Sequence, residues 1–213
     1  MGNNKDTALL DLELKVGLKE GFFERLLDED DWSFIIKIHS FVEAACNHLL
    51  LYHLKEPNLS EIITRLDLLS KPTGKIVFLS KLELLGKYDI RLITKLAQIR
   101  NSLVHDIRNN EFTLKYLVES FDTNELKQFA IDFSPFETMC RKFDKDPRLN
   151  FTPDPNIKKQ SDLNNIIKRA REDTKFHIWF GVRHTLTSIL DNYGYSDYQN
   201  WMKSRKIYEE DEE

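Results

Sequence analysis

One long apolar pattern constrains the fold of this chain more than any other part of its sequence. Between Trp32 and Leu54, large apolar side chains recur every three or four residues, which places them on one broad face of a helix. These residues are Phe34, Ile35, Ile38, Phe41, Val42, Ala45, Leu49 and Tyr52. Pro57 closes the segment, because proline cannot continue a helix. Since so apolar a helix needs neighbours that cover it, the pattern predicts a helical bundle.

The rest of the chain also favours helices, because the 213 residues include only seven glycines and six prolines. Further helices are predicted over residues 60–69, 75–85, 89–107, 113–121 and 124–143, and residues 161–190 are predicted to form one helix or a helix pair. Ser60 and Asp89 are the expected N-caps, and Gly86 is expected to end the helix before it. Ser134-Pro135 should kink or split the helix that contains it. The predicted fold class is all-α, an antiparallel helical bundle with a C-terminal helical extension.

Four segments are expected along the chain. Residues 1–29 form an N-terminal lead-in, and residues 30–143 form the helical bundle. Residues 144–160, with Pro147, Pro153 and Pro155, form a linker before the extension at 161–213, which ends in an acidic tail. The apolar residues of the extension, such as Ile178 and Trp179, predict that it packs back onto the bundle.

Charge and composition narrow the functional classes. The net charge is -4, and the run Glu209–Glu213 contributes five negative charges, which leaves the rest of the chain at +1. A broad basic surface for duplex DNA is therefore not indicated. Two cysteines without paired spacing, the absence of an apolar leader, and no apolar run of membrane-spanning length predict a cytoplasmic protein without membrane contact. No metal site or cofactor is expected.

The segment Ile99–Asp106 contains the most distinctive chemistry. On a helix, Asn101 and His105 are four residues apart and share a face, and the long side chain of Arg100 can bend toward them. Such a set suits metal-independent cleavage of RNA through its own 2′-hydroxyl. The histidine moves a proton and the arginine binds the phosphate. The asparagine amide orients either the phosphate or the imidazole. Alternatively, these side chains cap carbonyls at the end of the helix and have only a structural role.

A single histidine cannot be both acid and base in one step. A two-fold dimer would place two copies of His105 across one interface and supply both roles. We therefore expect a homodimer through the motif helices, with Leu103 or Val104 buried near its axis.

Residues 75–106, KIVFLSKLELLGKYDIRLITKLAQIRNSLVHD, resemble the HEPN superfamily, in particular its mannitol-repressor branch. The shared features are a helix with a Leu-Gly ending, followed by a helix with Ile-Arg-Asn, a few mostly apolar residues and a histidine. Residues 41–43 and 47–50 look like the long first core helix of that fold. The resemblance covers roughly residues 30 to 120.

This resemblance implies a helical bundle that dimerises through its motif helices. Many family members are metal-independent endoribonucleases that act as toxins or antiviral effectors, so an antitoxin or other protein partner is expected. Arg100 and His105 match the family's catalytic arginine and histidine, and Asn101 matches the polar residue after the arginine. The mannitol-repressor branch is instead regarded as transcriptional regulators, so the alternative function is a non-catalytic regulator or partner-binding protein.

Other side chains are candidates for supporting roles. Glu43 and Asp106 are expected to support the motif, Glu43 by orienting His105 or neutralising Arg100, unless it simply faces solvent. Candidate RNA-binding residues after the predicted linker are Lys158, Lys159, Lys168, Arg169 and Arg171. The alternative for this basic set is a solvated helix face.

Two remaining groups have structural alternatives. His39, His48 and His53 do not have the i, i+4 spacing of paired metal ligands. The aromatic cluster of Phe176, Trp179 and Phe180 is expected either in the core or at a base-stacking surface.

Overall fold

All regular elements that the structure describes are helices, which confirms the predicted all-α class. The structure is a computed structural model, and it describes residues 3–104, 112–135 and 159–210. The helices are α1 (Asn3–Lys15), α2 (Phe22–Arg25), α3 (Asp31–Leu54), α4 (Ser60–Arg65), α5 (Lys75–Lys81), α6 (Lys87–Val104), α7 (Leu114–Glu119), α8 (Thr123–Asp132), α9 (Lys159–Glu172) and α10 (Thr174–Glu210). Short 3-10 helices occupy Leu26–Asp28 and Pro57–Leu59.

The predicted long helix is confirmed as α3, which lies at the centre of the fold. The Asp30 side chain accepts a hydrogen bond from the Ser33 amide at 2.9 Å and caps the start of α3. Lys55, with a φ of 54°, ends it in the left-handed conformation. The helix packs mainly against α10 and α6, with α4 and α5 beside it.

α3 also meets the length and composition of a membrane-spanning helix, contrary to the expectation that no apolar segment is long enough. Its most apolar 18-residue window has a mean hydropathy of 1.3. However, 56% of that window is buried inside the described fold. The apolar side chains of α3 therefore already have protein partners.

The three central helices do not all alternate in direction. Lys175 at the start of α10 forms an ion pair with Asp31 at the start of α3, and Tyr193 further along α10 hydrogen-bonds to His48. These contacts show that α3 and α10 run parallel. The expected antiparallel order therefore fails for this pair. In contrast, α6 runs antiparallel to α10, because Thr185 contacts Asp89 while Gly181 lies beside Leu92.

Several predicted helix ends are wrong by a few residues. Ser60 is the first residue of α4 and not its cap, because a 3-10 helix leads directly into it. After α5 the left-handed residue is Glu83, with a φ of 57°, and not Gly86. Asp89 lies within the first turn of α6. In contrast, the predicted split at Ser134-Pro135 is confirmed, because α8 ends at Asp132, while residues 136–143 lie outside the described residues.

The predicted packing of the late apolar helix onto the bundle is confirmed. Ile178, Val182, Leu186 and Ile189 of α10 are fully buried in the core. A methyl group on Gly181 would lie 2.3 Å from the Phe133 carbonyl oxygen and 3.1 Å from Leu92. Glycine is therefore required where α10 crosses the end of α8 and the side of α6.

The region before α10 contains one helix of the expected helix pair. Residues 161–190 belong to two helices, α9 and α10, and α9 already begins at Lys159. Residues 136–158, which contain Pro147, Pro153 and Pro155, lie outside the described residues.

Candidate active site around Arg100

α6 places Arg100 and Asn101 close to the end of its described part. One face of the helix is buried through Leu92, Leu96 and Leu103, which leaves Arg100 and Asn101 half-buried beside it. Arg100 Nη1 donates a hydrogen bond to Asn101 Oδ1 at 3.0 Å. The amide therefore holds one edge of the guanidinium, while its other donors can meet an anion. His105 and Asp106, predicted as a catalytic and a supporting residue, lie outside the described residues.

A buried ion pair lies on the neighbouring helices α3 and α5. Lys75 is 1% exposed, and its Nζ donates to Glu43 Oε1 at 2.5 Å and to the Thr64 carbonyl at 3.2 Å. Glu43 is 32% exposed, so water reaches its carboxylate. The hydrogen-bond partner of Glu43 is thus Lys75, whereas the sequence pointed to Arg100 or His105.

Gly74 is the local feature that lets Lys75 enter the core. A methyl group on Gly74 would lie 2.5 Å from the Ser70 carbonyl oxygen and 2.7 Å from the Ser70 amide nitrogen. Only glycine fits so close to the turn before α5. The turn therefore sets the direction in which α5 presents its first side chain.

His39 joins these charged groups from α3. It lies one helical turn before Glu43 and is 6% exposed. Burial lowers the pKa of His39 below its usual value, and Arg100 and Lys75 lower it further, while the Glu43 carboxylate opposes them. His39 is therefore a neutral imidazole near pH 7, within the electrostatic reach of both cations.

A hydrogen bond and electrostatic effects on His39 link four ionisable side chains from three helices: His39, Glu43, Lys75 and Arg100. Of these, the sequence pointed to Arg100 and Glu43 but missed His39 and Lys75 as site residues. The i, i+4 spacing of His39 and Glu43 was the available signal. No sequence pattern indicated Lys75, because its burial depends on tertiary packing.

The predicted RNA-binding residues are spread along α9. Lys168 and Arg171 line a groove between α8 and α9, where Lys127 of α8 joins them. Lys127 was missed, because it comes from another helix. Lys159 is the first residue of α9, and Lys158 lies outside the described residues.

Two other histidines, His48 and His177, form hydrogen bonds within the fold. His48 Nδ1 is 2.9 Å from the Tyr193 hydroxyl, and His177 Nε2 is 3.0 Å from the Ala130 carbonyl oxygen. Burial lowers the pKa of His177, and the predicted RNA-binding residue Arg169 also contributes to this decrease. Among the described residues, no group of three or more His, Cys, Asp or Glu could hold a metal ion.

The aromatic cluster is partly buried and partly exposed. Trp179 is 8% exposed, stacks on Phe23 at 4.9 Å between ring centroids, and donates from Nε1 to the Phe23 carbonyl at 3.0 Å. Phe176 and Phe180 remain 47% and 42% exposed. Trp179 therefore belongs to the core, while both phenylalanines present part of their rings to solvent.

Comparison with known proteins adds no relative from which a function could be transferred. No family model, curated protein sequence or solved structure matches this chain. Function is therefore inferred from the side chains around Arg100 and from the sequence motif.

Proposed function

We propose that this chain is a HEPN-like, metal-independent endoribonuclease that cleaves RNA through its 2′-hydroxyl. The observation that carries the proposal is the half-buried Arg100, which is bonded to Asn101 and lies within electrostatic reach of the buried His39. His39 is one helical turn from Glu43, which pairs with the buried Lys75. Charged groups are costly to bury, so a cluster of them beside a cationic fork is typical of a functional site.

Each motif residue has a defined part in the proposed reaction. The RNA 2′-oxygen attacks the adjacent phosphorus, the bond to the 5′-oxygen breaks, and a 2′,3′-cyclic phosphate and a 5′-hydroxyl result. Arg100 binds the non-bridging oxygens, whose charge grows in the transition state. Asn101 orients Arg100 through their hydrogen bond. His105 transfers the proton to or from the ribose and leaving oxygens.

The same mechanism calls for two histidines and thus for a two-fold dimer. Leu103 is 4% exposed within a single chain, whereas Val104 is 42% exposed. Val104 is therefore the residue that remains available for a contact between two motif helices. In the proposed dimer, its apolar surface lies close to the axis and brings both copies of His105 to one groove.

The proposal is tested with the purified full-length protein and single-stranded RNA in EDTA. We expect cleavage products with 2′,3′-cyclic phosphate ends. Arg100→Ala and His105→Ala should each lower the rate about a hundredfold or more. The matched control is Arg65→Ala, because Arg65 is a surface arginine whose only ion pair in the described structure is a 4.0 Å contact with Glu61. This control should cleave at the wild-type rate.

The second candidate is a non-catalytic regulator or partner-binding protein on the same fold. The Lys75–Glu43 pair favours it, since both groups already have partners within the chain. Equal inactivity of the wild type and both variants on varied RNAs would support this candidate. A large loss of melting temperature in Arg100→Ala would instead assign the arginine a structural role.

A further inference from the structure

A groove between α8 and α9 lies apart from the residues that form the candidate active site. Its volume is about 470 Å³. Three apolar residues, Leu126, Leu163 and Ile167, line it and are called its apolar floor below, and Asn164 also lines it. This volume lies in the range of about 300 to 1,000 Å³ that is typical of clefts for small organic ligands.

The rim of the groove is positively charged. Lys127, Lys168 and Arg171 line it together with one acidic residue, Glu172. Glu172 pairs with Lys168 at 3.8 Å. In the part of the chain that the structure describes, no ion pair is found for Lys127 or Arg171, so these two exposed cations can bind an anion from outside.

We propose that this groove binds one unpaired nucleotide of a single-stranded RNA chain. Its phosphate lies between Lys127 and Arg171, and its base lies on the apolar floor. This inference rests on the proposed function, because it supplies a second contact to the same RNA substrate.

The combination of charge and shape favours this ligand over two others. In a duplex each base is stacked on both faces, so it cannot lie on the floor formed by Leu126 and Ile167. The chain without its acidic run is also almost neutral, which does not favour a long duplex track. An acidic protein helix would bury a longer surface than a cleft of this volume offers.

The test measures binding separately from cleavage. His105→Ala protein is titrated into a fluorescently labelled 12-nucleotide single-stranded RNA, and the anisotropy is recorded at several salt concentrations. Lys127→Glu with Arg171→Glu should weaken binding at least tenfold and reduce the dependence on salt. The matched double variant is Lys115→Glu with Arg65→Glu, which changes the net charge equally at two exposed residues that do not line the groove. It should bind with nearly wild-type affinity.

A second comparison isolates the position of one charge. Lys168 and Lys115 each form an i, i+4 pair with a glutamate, at 3.8 Å and 3.9 Å, and both side chains are largely exposed. Lys168→Glu should weaken RNA binding several-fold more than Lys115→Glu. Circular dichroism and melting temperature identify any variant that fails to fold.

Three results would overturn the proposal. They are equal losses in the groove and control variants, equal affinity for a duplex of the same sequence, and a loss of dimer mass in the groove variant. The last result would assign the groove to a protein interface. If the groove variants lose RNA binding while Arg100→Ala and His105→Ala change neither binding nor cleavage, the groove proposal stands and the proposed catalytic function fails.

Discussion

The two ends of α6 use polar side chains in opposite ways. At its start, Asp89 is 5% exposed and accepts hydrogen bonds from the Thr185 hydroxyl at 2.9 Å and the Gly86 amide at 3.3 Å. Toward its end, Arg100 is half-buried and bonds to its own neighbour Asn101. The first arrangement joins α6 to α10, whereas the second leaves donors of a cation available near other charged groups.

Burial and hydrogen-bond partners therefore distinguish a structural polar residue from a candidate functional one on the same helix. A carboxylate that is closed off and hydrogen-bonded contributes to stability, because removal of its partner leaves a buried group unsatisfied. A half-buried guanidinium with donors that have no partner within its own helix is expected to contribute less to stability, and it can bind an anion. Substitutions at the two ends should therefore affect different measurements.

The largest effect is expected where α10 crosses α6 at the structural end. Gly181→Ala places a methyl group 2.3 Å from the Phe133 carbonyl oxygen, a backbone atom that cannot move independently. We expect a loss of about 3 kcal/mol or more in the free energy of unfolding, measured by urea denaturation. Gly194 lies in the same helix with nothing within 4 Å of an added methyl group. Gly194→Ala should therefore be neutral or stabilising, by up to about 1 kcal/mol.

The second-largest effect concerns the contribution of the Lys75–Glu43 pair to the free energy of unfolding. Glu43→Gln leaves the charge of Lys75, which is 1% exposed, without its partner, and should cost about 3 kcal/mol. Lys75→Met leaves Glu43, which is 32% exposed and can bind water, so it should cost only about 1 kcal/mol. Thermal denaturation of both variants measures this asymmetry. Equal losses would contradict the solvent access of Glu43, and Lys115→Met is the surface control.

A smaller effect compares both ends of α6 directly. Thr185→Val removes one donor to the buried Asp89 and should cost about 1 to 2 kcal/mol without affecting RNA cleavage. Asn101→Ala should change stability by less than about 0.5 kcal/mol and lower cleavage about tenfold. If each substitution changed both stability and activity to the same degree, the proposed difference between the two ends of α6 would be wrong.

The smallest effect is a dependence of stability on pH. Burial lowers the pKa of His39 and of His177 in the folded chain below their unfolded value of about 6.5. The unfolded chain therefore binds more protons as the pH falls below about 6.5, so the free energy of unfolding should decrease toward acid pH. Denaturation at pH 7.5 and pH 5.5 measures this slope. His39→Gln should reduce it, and an unchanged slope would show that other groups are responsible.

The sequence predicted the parts of this fold that depend on local patterns. The apolar periodicity of α3 and the position of α6 are properties of consecutive residues, so both helices were found before the structure. The left-handed conformation of Glu83 was missed, because Gly86 carried the stronger local signal for a helix end. The direction of α10 relative to α3 was also missed, since periodicity identifies buried residues but gives no direction.

The candidate site was predicted only in part for the same physical reason. Arg100 and Asn101 were both predicted as site residues from the motif. The sequence assigned the Asn101 amide to the phosphate or the imidazole, whereas in the structure it accepts a hydrogen bond from Arg100. The approach of His39 and Lys75 depends on the packing of α3, α5 and α6, and in particular on the tight turn at Gly74. Lys127 likewise reaches the α9 groove only through tertiary packing.

The pairing of α3 with α10 has a consequence for synthesis on the ribosome. Tyr193 and His48 are hydrogen-bonded although 145 residues separate them in the chain. At a translation rate of about 5 to 20 residues per second, α10 follows α3 after roughly 7 to 30 s. During this interval the nascent chain exposes the side of α3 that α10 later covers, and this is the kind of surface that chaperones bind. Completion of the core, and with it any activity that needs the folded chain, is therefore postponed until α10 is translated.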